Sequence, residues 1–513
     1  MKEKLRKIFC WKPSEKLIAI LAAAAVALML IPLLRLCAYA VPWFDDYSYA
    51  GYVKSDYSQT CTLFDALRGG VTAAVDEWRH WEGTYFSVFL GTLVPIIWGD
   101  DKYFLGPAFL ILFLTVSVMV LARVFIRNIL HGDFWPGLIV QAGSAAMIVM
   151  FIYSAQRGFY WYDGGAFYVA LSSFAMLLAA AMIKLLTAEK RSLVIFWMII
   201  SILCAAAVGG GNYVTILQGL VFVLSFLGWV IWKRRERVLR VVPVVLVYLG
   251  AFALTVFAPG NSVRGDVYTD WGLPPVQAVL YSFVEAAKRF PEMTRWITLA
   301  ALVLLAPAML QIVRKTDFQF RHPLLVVLWT VCLYASGYTP GLYALGSVVL
   351  DRMLCTIKIT LQLCLLLDEI YLLGWFCQKC RAWREAQDGV KGQKIKRQPP
   401  EAEPEGRPYW WFYPLMGVIM IFIFSTESNQ AGNYSAYGAY YYIHTGEAYN
   451  FYQEYLARLE VLRSDEPDVV LEPYRWRPWM ICAGDLADYP EADENQAIAF
   501  WYNKNSVVCK PAQ

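Results

Sequence analysis

Charged residues are scarce in this chain, since Asp, Glu, Lys and Arg make up 17% of its 513 residues and hydrophobic residues make up 58%. Soluble domains carry about 25% charged residues. The apolar excess is concentrated in runs without any charge, at Leu17–Leu34, Tyr103–Ala122 and Ser192–Trp232. A helix needs about 20 apolar residues to cross the hydrocarbon core of a bilayer. The composition therefore excludes an ordinary soluble domain and predicts a membrane protein with many spans.

The sequence also lacks the motifs of several common soluble enzymes and metalloproteins. It contains no Walker phosphate-binding loop, no paired histidine ligands and no nucleophile elbow. Cys377 and Cys380 form a lone C-x-x-C without a second ligand pair, which disfavours zinc. The segments predicted to lie outside the cell are acidic overall, and this argues against nucleic acid as a partner.

Lysine and arginine are distributed unevenly, and cytoplasmic loops of membrane proteins are enriched in both. The basic clusters are Lys2–Lys16, Arg123–Arg127, Lys184–Arg191, Lys233–Arg240, Arg314–Arg321 and Lys379–Arg407. Placing all of them inside gives one topology in a bacterial plasma membrane, with a cytoplasmic N-terminus and an extracytoplasmic C-terminus. We expect an all-α polytopic membrane protein with about eleven transmembrane helices. The predicted spans are residues 17–41, 103–122, 136–155, 165–186, 194–208, 213–232, 240–258, 296–313, 323–340, 349–373 and 409–424.

One apolar segment does not fit this pattern. Counting Gly83–Gly99 as a full span would place later basic loops outside. We interpret it as a re-entrant or interfacial helix in the first outer loop, and the alternative is a true span. The first apolar run is longer than the core of a typical signal peptide, and no small-residue cleavage site follows it. We therefore interpret that run as an anchor.

These predictions divide the chain into three parts. Residues 1–16 form a cytoplasmic N-terminus, and residues 17–424 form the transmembrane domain. Within that domain, residues 42–102 form the first extracytoplasmic loop. Residues 374–408 are rich in Lys, Arg, Gln, Glu and Pro, and we expect a disordered cytoplasmic loop there. Residues 425–513 form a short extracytoplasmic tail of α/β character, with a helix indicated by the spacing of apolar residues from Tyr452 to Leu462 and a short strand at Asp468–Leu471.

Two adjacent carboxylates, Asp45 and Asp46, follow the first predicted span directly. Their mutual repulsion favours a raised pKa in one of them, as a general base requires, and both are candidate oxygen ligands for a divalent cation. We expect Asp45 to be the more desolvated, because Trp43 and Phe44 precede it, and Asp46 to be nearer to solvent. The alternative is that Asp45 caps the following helix and Asp46 is merely solvated.

Charged and aromatic side chains occur together in two outer segments. The candidates for substrate binding there are His80, Trp81, Arg157, Trp161 and Asp163. Aromatic rings stack on the C–H face of a sugar, while charged groups bond its hydroxyls. The alternative is an interfacial belt of aromatic residues, which membrane proteins of every function possess.

Three cationic residues are candidates for binding phosphate. Asn261, a further candidate for substrate binding, lies where a span exits. Arg264 follows it, and its guanidinium suits a bidentate contact with phosphate. Arg352 and Lys358 lie in a predicted span, where ionisable residues are functional candidates by default. The alternatives are that Arg264 extends to lipid headgroups and that Asp351 merely neutralises Arg352.

The position of Asp45 and Asp46 resembles the acidic motif of the C-type (GT-C) glycosyltransferase superfamily, which lies in the first outer loop after the first span. More narrowly, Trp161–Tyr168 and Ala258–Asn261 are similar to patterns in a family of bacterial membrane proteins without an assigned function, near the glucosyltransferase branch. The segment Ala492–Val507 is similar to the tail of that family. The resemblance covers most of the chain, although each motif is short.

The resemblance implies a polyprenyl-phosphate-linked sugar as donor and a glycan, lipid or protein of the cell envelope as acceptor. It assigns the base to Asp45. A lipid phosphate leaves without a general acid, unlike the leaving groups of glycoside hydrolases, which require two carboxyls. No downstream metal motif is identifiable, so the divalent cation stays a candidate. The alternatives are a transporter or flippase of lipid-linked saccharides, disfavoured because no inverted repeat is evident, and a non-catalytic protein of envelope assembly.

Overall fold

The computed structural model describes residues 14–267, 271–348, 350–390 and 412–511. Helices form most of this part of the chain, and a single pair of strands lies near its end. In chain order the helices are α1 (Glu15–Leu36), α2 (Asp45–Ala50), α3 (Leu63–His80), α4 (Tyr85–Gly91), α5 (Leu105–Asn128), α6 (Phe134–Met150), α7 (Tyr162–Gly165), α8 (Leu171–Thr187), α9 (Arg191–Gly209), α10 (Tyr213–Lys233), α11 (Val238–Val256), α12 (Pro259–Val267), α13 (Pro275–Thr294), α14 (Trp296–Lys315), α15 (Pro323–Ser336), α16 (Thr339–Leu345), α17 (Asp351–Val390), α18 (Phe412–Thr426), α19 (Gln430–Asn433), α20 (Ser435–His444), α21 (Glu447–Leu462) and α22 (Asp493–Trp501).

Among the described residues, eight helical segments are long and apolar enough to cross a membrane, judged by length and composition. They are Glu15–Tyr39, Asp100–Asn128, Tyr162–Thr187, Arg191–Gly209, Tyr213–Lys233, Arg235–Val256, Trp296–Lys315 and Pro323–Leu345. Each coincides with one predicted span. The architecture is therefore consistent with an all-α membrane protein.

The predicted count of about eleven spans is not confirmed. The helices at two of the remaining predicted spans are short, with 17 residues in α6 and 15 in α18. The third, α17, is 40 residues long, but Asp351, Arg352, Lys358, Asp368 and Glu369 interrupt its apolar character. All three helices nevertheless belong to the bundle, because α6 packs against α1, α5 and α14, α17 packs against α14 and α15, and α18 packs against α14.

The apolar segment at residues 83–99 does not form one continuous helix. Helix α4 covers only seven residues, and a 3-10 turn follows at Pro95–Trp98. Neither piece approaches the length of about 20 residues that a span requires. The segment is held against the turn between α9 and α10, where the Tyr85 hydroxyl donates to the carbonyl of Ala206 at 2.9 Å. Gly210 allows this approach, because a Cβ there would lie 2.1 Å from the Tyr85 ring.

The predicted disorder of residues 374–408 is wrong for its first part. Helix α17 continues to Val390, and residues 391–408 lie outside the described residues. Residues 374–390 contain no proline and are rich in Gln, Lys, Arg, Ala and Glu, which favour helix. Gln378 also anchors the extension, since its amide donates to the carbonyl of Phe318 at 2.7 Å and accepts from the backbone N–H of Phe320 at 3.1 Å.

The C-terminal tail contains both elements that its sequence predicts. Tyr452 to Leu462 lie in α21, and β1 covers Asp468–Leu471. The partner strand β2, Ser506–Cys509, pairs with β1 in parallel, with Asp468 opposite Ser506. Helix α22 lies between the strands in sequence and packs against both β2 and α2. The tail is therefore joined to the helix that begins with Asp45.

Candidate functional site

Asp46 is the buried structural centre of the first loop. One of its carboxylate oxygens accepts from the backbone N–H of Trp43 at 2.9 Å and from the Tyr103 hydroxyl at 2.7 Å. The other oxygen accepts from the backbone N–H of Asp163 at 3.0 Å. These bonds tie the start of α2 to two other segments. Burial raises the pKa of Asp46 to about 7, although the hydrogen bond from Tyr103 acts in the opposite direction.

The expectation that Asp45 is the more desolvated carboxylate of the pair is wrong. Asp46 has no exposed surface, whereas the Asp45 side chain is 24% exposed. The reason is the turn at Phe44, whose φ of 34° folds the chain so that Asp46 accepts from the N–H of Trp43 three residues earlier. Asp45 therefore stays reachable. Partial burial still raises its pKa, while the positive charge of Arg352 opposes the rise.

Asp45, Asp163 and Arg352 come together although they belong to three different helices. A guanidinium nitrogen of Arg352 lies 3.6 Å from a carboxylate oxygen of Asp45 and 3.9 Å from one of Asp163. The second oxygen of Asp163 is buried and has no hydrogen-bond partner among the described residues. Gly91 leaves room beside this oxygen, because a Cβ there would come within 3.0 Å of it. The three side chains form what we call the acidic triad.

Aromatic rings enclose the cation of the triad. The guanidinium carbon of Arg352 lies 5.3 Å from the centre of the Trp161 ring and 5.8 Å from that of Tyr168. Arg157 approaches the same indole at 5.0 Å and donates to the carbonyl of Ala483 in the tail at 3.2 Å. Cation–π contacts of this kind are worth about 0.5–2 kcal/mol each. Trp161 and Tyr168 thus restrain Arg352 in its position beside the carboxylates.

A second ion pair lies close to the triad. Arg264 contacts the carboxylate of Glu82 at 2.5 Å, and its guanidinium lies 5.6 Å from the Trp81 ring centre. The negative charge of Glu82 contributes to the raised pKa of Asp45. Arg264 is therefore part of the same charged region as Arg352.

Asn261 holds this region together through protein contacts. Its carbonyl oxygen accepts from the N–H of Gly83 at 3.0 Å and from the Tyr213 hydroxyl at 2.5 Å. Its amide donates to the carbonyls of Thr255 at 2.8 Å and Val256 at 3.0 Å. A side-chain amide has no capacity left after four such bonds, so Asn261 positions the segment that carries Glu82.

Two of the predicted binding residues lie apart from the triad. His80 is exposed on α3, and its imidazole contacts Asp76 at 3.0 Å. Lys358 is buried, and its charged neighbours are Arg295, Glu292 and Glu427 instead of the triad. Six residues separate Lys358 from Arg352 on α17, and at 100° per residue their side chains leave the helix in different directions.

Sequence reasoning missed Glu82, Glu77 and Tyr103 as members of this region. Glu77 accepts from the Tyr52 hydroxyl at 3.1 Å, and its other carboxylate oxygen is buried without a hydrogen-bond partner among the described residues. Burial raises the pKa of Glu77 to about 7, and the nearby Glu82 adds to the rise. In the segment 77–83, carboxylates occur next to tryptophans, and this pattern indicates both glutamates as candidate site residues. Nothing in the local sequence marks Tyr103.

The site offers few ligands for a metal ion. Within the part of the chain that the structure describes, no three His, Cys, Asp or Glu side chains are grouped as a metal centre would require. Both oxygens of Asp46 already accept hydrogen bonds, so a cation would contact the reachable oxygens of Asp45 beside the guanidinium of Arg352.

Comparisons with known proteins identify no relative of this chain: no protein-family model, no curated protein and no solved structure matches it. The resemblance to the C-type glycosyltransferases therefore stays a prediction from short motifs.

We expect Asp46→Asn to destabilise the protein. The N–H groups of Trp43 and Asp163 bond different oxygens of Asp46, and an asparagine in either orientation presents only one acceptor. One buried donor would then lose its partner, at a cost of about 1–3 kcal/mol. The measurement is thermal unfolding of purified protein in detergent, with Asp45→Asn as the matched control. Equal melting temperatures for the two variants would contradict the structural role of Asp46.

Proposed function

We propose that this protein is a glycosyltransferase of GT-C type, which moves a sugar from a polyprenyl-phosphate donor to an acceptor of the cell envelope. The observation that supports this most is the acidic triad. It combines a reachable carboxylate with a raised pKa, Asp45, and a guanidinium held by aromatic rings, Arg352. Its three residues lie in the first turns of α2, α7 and α17. In the proposed arrangement these helix ends lie at the outer membrane surface, where both a lipid-linked donor and a water-borne acceptor would reach them.

In the proposed reaction, Asp45 removes the proton from an acceptor hydroxyl. The resulting oxygen attacks the anomeric carbon of the donor sugar, and the bond from that carbon to the phosphate oxygen breaks. Polyprenyl phosphate leaves with the bonding electrons, and Arg352 neutralises its charge. Asp163 lies beside the same guanidinium nitrogen of Arg352 as Asp45 and helps to hold that side chain, and the Glu82–Arg264 pair supplies a second cation for the phosphate. A divalent cation at Asp45 stays a candidate addition.

The proposed setting is a bacterial plasma membrane that the chain crosses about eleven times. In this arrangement the N-terminus is cytoplasmic, whereas the triad and the tail from residue 425 face the outside. The basic clusters support this orientation through the positive-inside rule. Nucleotide sugars are absent outside the membrane, which is why the proposed donor is lipid-linked and membrane lipids surround the site.

A reporter fusion tests the orientation. Alkaline phosphatase folds only outside the cytoplasm, so a fusion after Gln513 should be active, and a fusion truncated after Lys315 should be inactive. Fluorescent-protein fusions at the same two positions should give the opposite pattern. If the C-terminal fluorescent-protein fusion were fluorescent and the C-terminal phosphatase fusion inactive, the tail and the triad would face the cytoplasm, which would contradict this function.

Substitution of the proposed base tests the chemistry. We expect Asp45→Asn to lower sugar transfer by about 10²–10⁴-fold, the contribution of a positioned general base. The assay measures release of radiolabelled sugar from a panel of polyprenyl-phosphate-linked hexoses by purified protein. Asp488→Asn, at an exposed position of the tail, is the matched control. Normal turnover by Asp45→Asn would contradict the assignment of Asp45 as the base. If the protein is a transporter or a scaffold, even the wild type will show no transfer.

Replacement of the triad cation should change both affinity and pH dependence. Arg352→Gln removes a phosphate contact, so the donor KM should rise more than tenfold, equivalent to about 1.4 kcal/mol. The charge of Arg352 lowers the pKa of Asp45, and its loss should raise that pKa further. Because the base acts deprotonated, the acidic limb of kcat/KM should move to higher pH. Arg475→Gln in the tail is the control. If the acidic limb of kcat/KM did not shift in Arg352→Gln, the proposed influence of Arg352 on the pKa of Asp45 would be contradicted.

A further inference from the structure

An open groove runs beside the helix that begins with Asp45. Its walls are the first turn of α2, with Phe44 and Ser48, and one side of α22, with Asp493, Gln496 and Phe500. The groove is shallow, with a volume of about 420 Å³, and is open to solvent over most of its extent. Sites for small ligands usually measure about 300–1,000 Å³, so it can hold one or two sugar rings.

The wall formed by α22 is held firmly against the first loop. The backbone N–H of Tyr57 donates to the carbonyl of Trp501 at 3.1 Å, and the Tyr502 hydroxyl donates to Asp100 at 3.0 Å. Phe500 lies directly over Gly51 at the end of α2, where a Cβ would come within 2.9 Å of the phenyl ring. The two walls of the groove, α2 and α22, are thus held in place by direct contacts between the tail and the first loop.

The lining of the groove has the chemistry of a site for neutral sugars. Phe500 is 56% exposed, and its ring offers apolar surface for the C–H groups of a pyranose. Ser48, Asp493 and Gln496 are exposed and supply a hydroxyl, a carboxylate and an amide for sugar hydroxyls. The described lining includes no Lys or Arg, so nothing in it favours a phosphate or a uronic acid.

The groove also has the right position for an acceptor. Ser48 follows Asp45 by three residues, so both side chains lie on the same side of α2. The cations that suit the donor phosphate, Arg352 and Arg264, do not line the groove. The two substrates would therefore approach Asp45 from different directions, as a transfer between them requires.

We propose that this groove is an acceptor subsite that binds a neutral saccharide, with Phe500 as the stacking platform and Gln496 and Asp493 as partners of the sugar hydroxyls. The role of the bound saccharide as an acceptor rests on the proposed function. The binding of the saccharide itself can be measured without any transfer reaction.

The experiment uses full-length protein in nanodiscs and saturation-transfer-difference NMR. The probes are the methyl glycosides of glucose, galactose and mannose, and the methyl glycoside of glucuronic acid. At least one neutral glycoside should bind the wild type, and Phe500→Ala and Gln496→Ala should each weaken it tenfold or more. Tyr489→Ala, which removes another exposed aromatic ring of the tail, is the matched control and should bind normally. No binding by the wild type, equal binding by Phe500→Ala, or preference for the uronate would overturn the proposal.

The Asp45→Asn variant distinguishes this inference from the proposed function. Its binding of the neutral glycoside should still depend on Phe500, because Asp45 does not line the groove. Glycoside binding that depends on Phe500, together with unimpaired transfer by Asp45→Asn, would leave the saccharide site standing and remove the proposed base. If Asp45→Asn lost transfer but the wild type bound no glycoside, the proposed base would stand and the saccharide site would be removed.

Discussion

The Asp46 carboxylate is the interaction on which the rest of this site depends. It accepts hydrogen bonds from Trp43 in the turn before α2, from Tyr103 in the turn before α5 and from Asp163 in the short helix α7. A buried carboxylate is costly unless such bonds satisfy it. Because all three donors converge on one group, the positions of Asp45 and Asp163 relative to each other follow from the bonding of Asp46.

The C-terminal tail acts as the second constraint. Arg463 contacts Asp100 at 2.5 Å, and Tyr502 donates to the same carboxylate. Arg458 is buried below the β1–β2 pair, where it contacts Asp485 at 2.8 Å and the Tyr474 ring at 3.5 Å. These contacts join the tail to the first loop. As a result, α22 forms one wall of the groove beside Asp45. The loop that carries the proposed base thus depends on residues from the far end of the chain.

The triad places two acidic side chains beside one cation. Asp45 and Asp163 lie 3.6 and 3.9 Å from the guanidinium of Arg352, and one oxygen of Asp163 has no hydrogen-bond partner among the described residues. Partly buried charges interact more strongly than charges in water, since the effective dielectric constant is lower. Both Asp45 and Arg352 are partly exposed, so a hydroxyl can donate to Asp45 and an anion can contact Arg352. Unsatisfied groups of this kind are common at functional sites.

The sequence by itself determined the apolar and largely helical character of the chain, eight described helices long and apolar enough to cross a membrane, α21, β1 and the choice of Asp45, Asp163 and Arg352 as candidates. Apolar runs and helical spacing are read within one segment, and helical hydrogen bonds join residues four apart, so local sequence is enough for them. Only the tertiary structure decided that Asp46 is the buried member of its pair, that Lys358 lies apart from Arg352, and that β2 completes the sheet. These outcomes depend on contacts between residues remote in sequence. Such contacts arise from how helices pack and turns bend, and no spacing along the chain encodes them.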